Sequence, residues 1–238
     1  MNDISVILVK PLYAGNVGSV ARAMANFGFK NLFLANPCKL GKPADDMAVH
    51  AKGILQKAKI CKNFEAAIKK FDLIIGTTCE KTEKDDYFLR MCITPEQLKK
   101  KLENVKGKIA FVFGPEDIGL TNAELERCDI VVSIPTAPEY KSMNLSHAVA
   151  VLLYELSKTE SRVPKTESPV RLSSKKEKDL IVQNFAAIAN LINYPKPSER
   201  RKIFNLMLTK LIGRAQVTGR EANTLIGVLK KIKNRLKN

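Results

Sequence analysis

Short apolar runs alternate with helical patterns over roughly the first two thirds of the 238-residue chain. The apolar runs predict buried strands at residues 4–9, 31–34, 71–75, 109–113 and 130–134. The helical patterns lie at 18–27, 63–70, 95–102 and 121–127, and a strongly apolar helix is predicted at 145–156. This alternation predicts an α/β fold, in which helices cover both faces of a parallel sheet.

The composition changes after Leu156. The stretch that follows is rich in Ser, Thr, Pro, Lys and Glu, which is typical of a linker. Beyond it only helices are predicted, at 180–192, 197–212 and 221–236. We therefore predict a sheet domain over 1–158, a linker over 159–174 and a small all-helical domain over 175–238.

The charge is large and uneven. The chain has 40 Lys and Arg against 24 Asp and Glu, a net charge of +16. Residues 1–158 hold 22 basic and 18 acidic residues, whereas residues 159–238 hold 18 and 6, so the last third carries +12 of the +16. Such a field attracts nucleic acid through counterion release. The alternative is a lysine-rich surface that serves solubility alone, and a membrane partner is disfavoured because the basic segment lacks aromatic anchors.

Cysteine and hydropathy patterns exclude several classes of protein. The five cysteines are odd in number and form no C-x-x-C pair, so neither a disulfide framework nor a zinc site is indicated. No apolar run approaches the roughly 20 residues of a membrane helix, and the first residues lead straight into a predicted strand without a secretory signal. We expect a soluble cytoplasmic protein that has no metal and no membrane partner.

Three polar segments follow predicted strands. Residues 14–22 open a helix as an anion-binding loop would, although they form neither G-x-G-x-x-G nor a Walker A loop. Residues 113–120 form a Gly-rich turn that bears Glu116, at the strand end where open parallel sheets bind ligands. Residues 134–146 form a proline-stiffened loop before the apolar helix. Taken singly, each segment is equally compatible with a turn or a helix cap, for example at Asn144.

The joint order of the three segments is far more specific. N-x-G-S-x-x-R, F-G-x-E-x-x-G-L and P-x-x-x-S-M-N-L-S-x-A-V resemble the three motifs of the SpoU family, also called TrmH, within the SPOUT methyltransferases. Residues 214–229 resemble the end of the helical extension in the TrmJ branch, which methylates the ribose at tRNA position 32. The resemblance thus spans nearly the whole chain.

The resemblance implies a fold and an activity. The sheet domain would end in a trefoil knot whose loops bind S-adenosylmethionine, and the chain would act on tRNA as a homodimer and methylate a ribose 2′-hydroxyl. The basic helical extension over 175–238 would bind the tRNA. The cofactor residues implied are Thr77, Thr78, Cys79, Gly114, Ile134, Ser142 and Met143. The residues implied around the acceptor ribose are Asn16, Arg22, Glu116, Ser142 and Asn144.

Several alternatives stay open at the level of sequence. The motif-one arginine has been proposed as the general base of the family, but a guanidinium with a pKa above about 12 rarely gives up its proton, which favours Arg22 as a fork for phosphate. The substrate could instead be ribosomal RNA, or the chain could be a catalytically silent RNA-binding protein. His147, one turn into an apolar helix, is expected to be a packed core residue.

Overall fold

Seven parallel strands form the central sheet of the protein, in the order β3-β2-β1-β7-β4-β8-β5. The computed structural model describes residues 3–79, 92–103, 105–158, 170–196 and 200–237. The strands of the sheet are β1 (Asp3–Val9), β2 (Asn31–Ala35), β3 (Lys59–Cys61), β4 (Leu73–Thr77), β5 (Cys92–Ile93), β7 (Lys108–Phe113) and β8 (Ile130–Val132). A separate parallel pair joins β6 (Val105–Lys106) to β9 (Val170–Arg171).

Helices cover both faces of the sheet, and the last three described helices form a helical extension with its own core. The helices are α1 (Ala14–Asn26), α2 (Gly41–Ala48), α3 (Lys52–Gln56), α4 (Phe64–Ile68), α5 (Pro95–Leu102), α6 (Asn122–Glu126), α7 (Leu145–Ser157), α8 (Lys175–Leu191), α9 (Arg200–Arg214) and α10 (Gly219–Arg235), with a 3-10 turn at Val49–Ala51. The extension consists of α8, α9 and α10. Within the described residues, no helix is long and apolar enough to span a bilayer.

Two apolar cores follow from the pleat of the central strands. Along β1, Val6 and Leu8 belong to the core under α1 and α7, whereas Ile7 and Val9 belong to the core under α4 and α6. Side chains alternate between the two faces of a strand, so a strand that is buried on both faces is apolar throughout. This is why the central strands were predictable as unbroken apolar runs.

Gly18 allows α1 and α2 to pack closely. A Cβ atom at this position would collide with the backbone carbonyl of Ala44 and would lie 3.0 Å from the Cβ of Met47. The glycine in the first motif therefore serves the packing of two helices, and the turn before α1 does not depend on it.

The C-terminal helices have a core of their own and are fixed to the sheet domain. Ile181 on α8 packs with Ala222 and Leu229 on α10. The predicted linker lies outside the described residues up to residue 169. The remainder, 170–174, is held in place: β9 pairs with β6, Leu172 is buried, and the Ser173 amide donates to the Val217 carbonyl at 2.8 Å.

The differences from the predicted elements have local causes. Strands β3 and β5 have three and two residues, too few for a periodic signal, and the short helices α2 and α3 were likewise not predicted. Helix α8 begins at Lys175 instead of residue 180 because the Ser174 and Glu177 side chains form a capping box there. Residues 197–199 of the next predicted helix lie outside the described part of the chain, and α9 is described from Arg200.

The start of α8 should make stability depend on pH through Glu177. The Arg171 guanidinium, 3.0–3.1 Å from both carboxylate oxygens, lowers the pKa of Glu177 from 4.5 to about 2, and Ser174 adds further hydrogen bonds. A carboxylate with a lowered pKa contributes fully to the free energy of unfolding above pH 4.5. This contribution is lost as the pH falls towards 2. We expect Glu177→Gln to lower the free energy of unfolding by about 1–2 kcal/mol at neutral pH.

Urea unfolding at neutral pH and near pH ~3 measures this dependence. The difference between Glu177→Gln and the wild type should shrink by more than half at the lower pH. Glu221→Gln is the matched control, because Glu221 caps α10 in the same way through Thr218. Its effect should be smaller than that of Glu177→Gln. An equal loss of stability at both pH values in Glu177→Gln would contradict the assignment.

Candidate active site

A cleft of about 550 Å³ lies at the carboxyl ends of β4, β7 and β8. It is lined by residues 77–79, 113–122, Val132, Ile134, Thr136, 141–143, Leu145 and Ala148. The carboxyl ends of parallel strands meet at one edge of a sheet, which is where open α/β proteins bind ligands. The seven residues that the resemblance implies for the cofactor all line this one cleft.

Gly114 shapes the wall of the cleft that follows β7. A Cβ atom at this position would collide with the backbone of Gly119 and Leu120. Gly119 itself has φ +66°, in the left-handed region that glycine adopts without a steric penalty. The loop therefore folds back on itself tightly, and backbone groups form much of this wall.

A chain of hydrogen bonds joins the three motif segments beside the cleft. The Asn16 side-chain amide donates to Glu116 Oε1 at 2.7 Å, and the Leu12 backbone amide donates to Glu116 Oε2 at 2.8 Å. The Asn144 side-chain amide donates to Asn16 Oδ1 at 3.2 Å. Asn16 thus lies between the other two side chains and is bonded to both.

Helix α7 orients Asn144. This residue is the N-cap of the helix, and its Oδ1 accepts from the Ser146 backbone amide at 2.9 Å and from the Ser146 hydroxyl at 2.8 Å. Because the oxygen is occupied by the cap, the NH₂ group points to Asn16. The Asn144 side chain therefore both caps α7 and takes part in the site. A capping role alone would not explain its hydrogen bond to Asn16.

Arg22 stands apart from this chain of hydrogen bonds. It lies on α1, six residues after Asn16, which is about 9 Å farther along the helix axis. Its side chain is exposed, and within the described residues it makes no hydrogen bond or ion pair. Ser142 lines the cleft. The structure thus joins Asn16, Glu116 and Asn144, places Glu116 and Ser142 in the lining of the cleft, and leaves Arg22 outside the bonded group.

The expectation for His147 was wrong. Its side chain is exposed, on the same face of α7 as Val151, which is 39% exposed, and Tyr154, which is 52% exposed. These residues follow at i, i+4 and i+7, so they form one face of the helix. The apolar composition of α7 therefore includes an unburied face in addition to its core face.

The site offers no thiolate nucleophile near Glu116. Burial, and after it the carboxylate of Glu116, raises the pKa of the Cys38 thiol. A raised pKa keeps cysteine in its unreactive neutral form. Among the described residues, no group of three or more His, Cys, Asp or Glu is arranged to hold a metal ion. Cys79 and Lys141 also line the cleft, together with the carboxylate of Glu116 and the hydroxyl of Ser142.

Several lining residues were not predicted from the sequence. Thr121 and Asn122 form the start of α6, and Lys141 lies in the loop before α7. The capping box of Thr121 and Glu124, T-x-x-E in the sequence, signals the start of α6 directly after the second motif. No comparable signal marks Leu12, whose contribution is a backbone amide.

Comparisons with known proteins identify the family of the chain. The model of a family described as the SpoU rRNA methylase family matches residues 3–154. The tRNA (cytidine-2′-O-)-methyltransferase TrmJ of Methanocaldococcus jannaschii is 42% identical over 228 residues, which is 95% of this chain and 98% of the relative. The enzyme of the same name from Sulfolobus acidocaldarius is 34% identical over 98% of this chain and 94% of its own length.

A solved structure matches over the same extent. The crystal structure of TrmJ from Z. mobilis ZM4 aligns with a TM-score of 0.77 at 26% identity, covering 96% of this chain and 98% of that chain. The match includes the helical extension as well as the sheet domain. The chain belongs to the SpoU methylase family, and it is a methyltransferase.

Proposed function

We propose that the protein is an S-adenosylmethionine-dependent tRNA ribose 2′-O-methyltransferase that acts at nucleotide 32. One observation carries this proposal: the seven residues implied for the cofactor line one cleft, and Asn16, Glu116 and Asn144 are bonded together beside it. The names of relatives that match nearly the whole chain support tRNA and the ribose 2′-oxygen as substrate. Position 32 rests on the resemblance to the TrmJ branch.

The lining of the cleft fits S-adenosylmethionine. Ile134 and Met143 offer apolar contact for a purine ring, and the folded-back loop at Gly114 offers backbone donors and acceptors close to the cavity. When bound, this cofactor supplies a methyl group that is already activated on a sulfonium. The residues of the chain must then hold the acceptor oxygen in line and ease the loss of its proton.

We assign the acceptor side to the chain of hydrogen-bonded side chains. Asn16 and Asn144 are fixed by their bonds to each other and to Glu116, so they can orient a ribose hydroxyl with little loss of conformational entropy. Arg22 binds the phosphate of the same nucleotide as a bidentate fork and stabilises the developing alkoxide. The exposed, unpaired side chain of Arg22 supports this role.

We further propose that the chain forms a homodimer through α7, and that its sheet domain carries the trefoil knot which the family resemblance implies. The exposed face of α7 that contains Val151 and Tyr154 supports a partner there. Exposed apolar residues that cluster on one helix face mark protein–protein contacts.

Calorimetric titration with S-adenosylmethionine tests the cleft. The wild type should bind the cofactor, and Ile134→Asp should weaken binding by about 100-fold, because it places a charge against an apolar ligand surface. Ile60→Asp is the matched control, since Ile60 is 70% exposed on β3, away from the cleft. It should bind as the wild type does. Equal affinity in Ile134→Asp would exclude the cleft as the cofactor site.

Arg22→Lys separates the two roles of the arginine. Lysine keeps the charge but loses the bidentate fork, so the single-turnover rate on tRNA should fall by about 10²–10³. If the arginine were the base, the lysine variant would instead recover as the pH approaches ~10. A pH–rate profile at saturating cofactor and tRNA decides between the roles. A variant that climbs to the wild-type rate at high pH would contradict the phosphate role.

Sedimentation of Val151→Glu tests the dimer. The wild type should sediment at twice the mass of the chain at micromolar concentration, and the buried charge should shift the variant to the monomer. Val228→Glu is the matched control, because Val228 is 50% exposed on α10 of the helical extension. It should remain dimeric. A wild type that sediments as a monomer would refute the homodimer, and a dimeric Val151→Glu would move the interface away from α7.

A further inference from the structure

Two lysines of the helical extension are buried in the sheet domain. The Lys178 ammonium on α8 lies 3.1 Å from Asp129 Oδ2 and donates to the Asp72 carbonyl at 2.6 Å. The Lys178 and Asp129 side chains are 5% and 2% exposed. Asp129 Oδ2 also accepts from the Ile74 amide at 2.9 Å, so the same oxygen meets the ammonium and a backbone donor of β4.

Lys210 on α9 makes a second buried contact with the same region. Its ammonium donates to the Leu125 carbonyl at 2.6 Å and to the Cys128 carbonyl at 3.0 Å, at the end of α6. Burial lowers its pKa below 10.5, although the residue has hydrogen-bond partners. Lysines are rarely buried unless they are paired, and here the partners are the C-terminal carbonyls of a helix, which favour a cation.

The backbone of α9 lies equally close to this region. A Cβ atom at Gly213 would lie 2.9 Å from the Cα of Asp129 and 3.1 Å from its Cβ. The extension therefore meets Asp129 through a side chain of α8 and through the backbone of α9. Contacts of this kind fix the position of residues 125–129. An extension that was joined to the sheet domain only by a flexible linker would not do so.

The segment that these contacts hold is continuous with the cleft at both ends. It begins with Thr121 and Asn122 and ends with Val132 and Ile134, and these four residues line the cleft. In its middle, Cys128 packs against Gly76, where an added Cβ would lie 2.7 Å from the sulfur. Gly76 directly precedes the cleft residues 77–79 of β4. The parts of the cleft that follow β4, β7 and β8 thus all adjoin the segment that the extension contacts.

We propose that Lys178 and Lys210 are positioning residues of the cofactor cleft, which makes the helical extension a structural part of the methyl-donor site. The inference rests on the proposed function, because it takes the cleft as the site for S-adenosylmethionine. The extension then has two separate roles on two faces. Its inner face holds 125–129 in place, and its outer face, with the exposed Lys230 and Lys231, meets tRNA.

Two lysine-to-methionine variants distinguish these roles. Methionine keeps much of the side-chain length and volume but removes the charge. Lys210→Met removes the contact with α6, and Lys230→Met is the matched control on the outer face. Both are measured, with the wild type, for S-adenosylmethionine affinity by calorimetry and for tRNA affinity by filter binding without cofactor. The temperature is one at which circular dichroism shows each protein to be fully folded.

We expect a double dissociation. Lys210→Met should weaken S-adenosylmethionine binding by about tenfold and raise the KM for the cofactor more than it lowers kcat, with tRNA affinity within about twofold of the wild type. Lys230→Met should do the reverse. Its tRNA affinity should fall, and the slope of log affinity against log salt concentration should become shallower by about one unit, while cofactor affinity stays unchanged. A lysine that only stabilised the fold would lower the melting temperature and leave cofactor affinity unchanged.

Gly213→Ala tests the same contact if Lys210→Met fails to fold. The added methyl group presses α9 away from Asp129 and should also weaken cofactor binding while leaving tRNA affinity intact. Wild-type cofactor affinity in the folded variants overturns the inference and leaves the proposed function standing. A wild-type protein that binds no S-adenosylmethionine overturns both.

Discussion

The site depends on the side chain of Asn16, which bonds to two other loops at once. It donates to Glu116, 100 residues later in the chain, and accepts from Asn144, 128 residues later, so three distant segments meet at one amide. An amide suits this place because it carries a donor and an acceptor. A carboxylate in its position would face Glu116 without a donor, and an apolar residue would remove both of these hydrogen bonds.

This bonded group lies beside the cleft that we propose for the cofactor, since Glu116 belongs to both. The cleft is formed by backbone and apolar side chains at the ends of three strands, whereas the acceptor side is polar and fixed by hydrogen bonds. Methyl transfer from an activated donor needs alignment above all, and effective alignment comes from groups that are already held in place. Arg22 is exposed and has no partner among the described residues, as the proposed role toward the phosphate of a bound nucleotide requires.

The helical extension adds a constraint on the side remote from the acceptor. Breaking one member of a buried ion pair costs about 3–5 kcal/mol, because the other charge stays buried without a partner. A Lys178→Met substitution would leave Asp129 in that state, because among the described residues only the Ile74 amide would still donate to its carboxylate. The stability of the sheet domain therefore depends on the extension, although the composition and charge of the extension differ from those of the sheet domain.

Much of this architecture could be predicted from the sequence, and the parts that could not have physical reasons. The central strands were predictable because Val6 to Val9 and their neighbours are buried on both faces. The order of the three motifs identified the family and the residues that line the cleft. Two features left no signal: Lys178 and Lys210 resemble the many exposed lysines of a chain with a charge of +16, and the exposed face of α7 resembles a core helix. Burial of lysine depends on a partner such as Asp129, which lies 49 residues away in sequence and is found only in the folded chain.

The central claim is that this one cleft and the Asn16 amide beside it transfer a methyl group to a ribose 2′-oxygen. It is tested most directly by incubating tRNA with the protein and methyl-labelled S-adenosylmethionine, and then mapping the label by partial alkaline hydrolysis. A 2′-O-methyl group blocks cleavage of the adjoining phosphodiester, so the account predicts one protected bond, after nucleotide 32, and none with the Asn16→Ala variant. Label that enters a base while every backbone bond stays sensitive to alkali would contradict the account, as would full protection by Asn16→Ala.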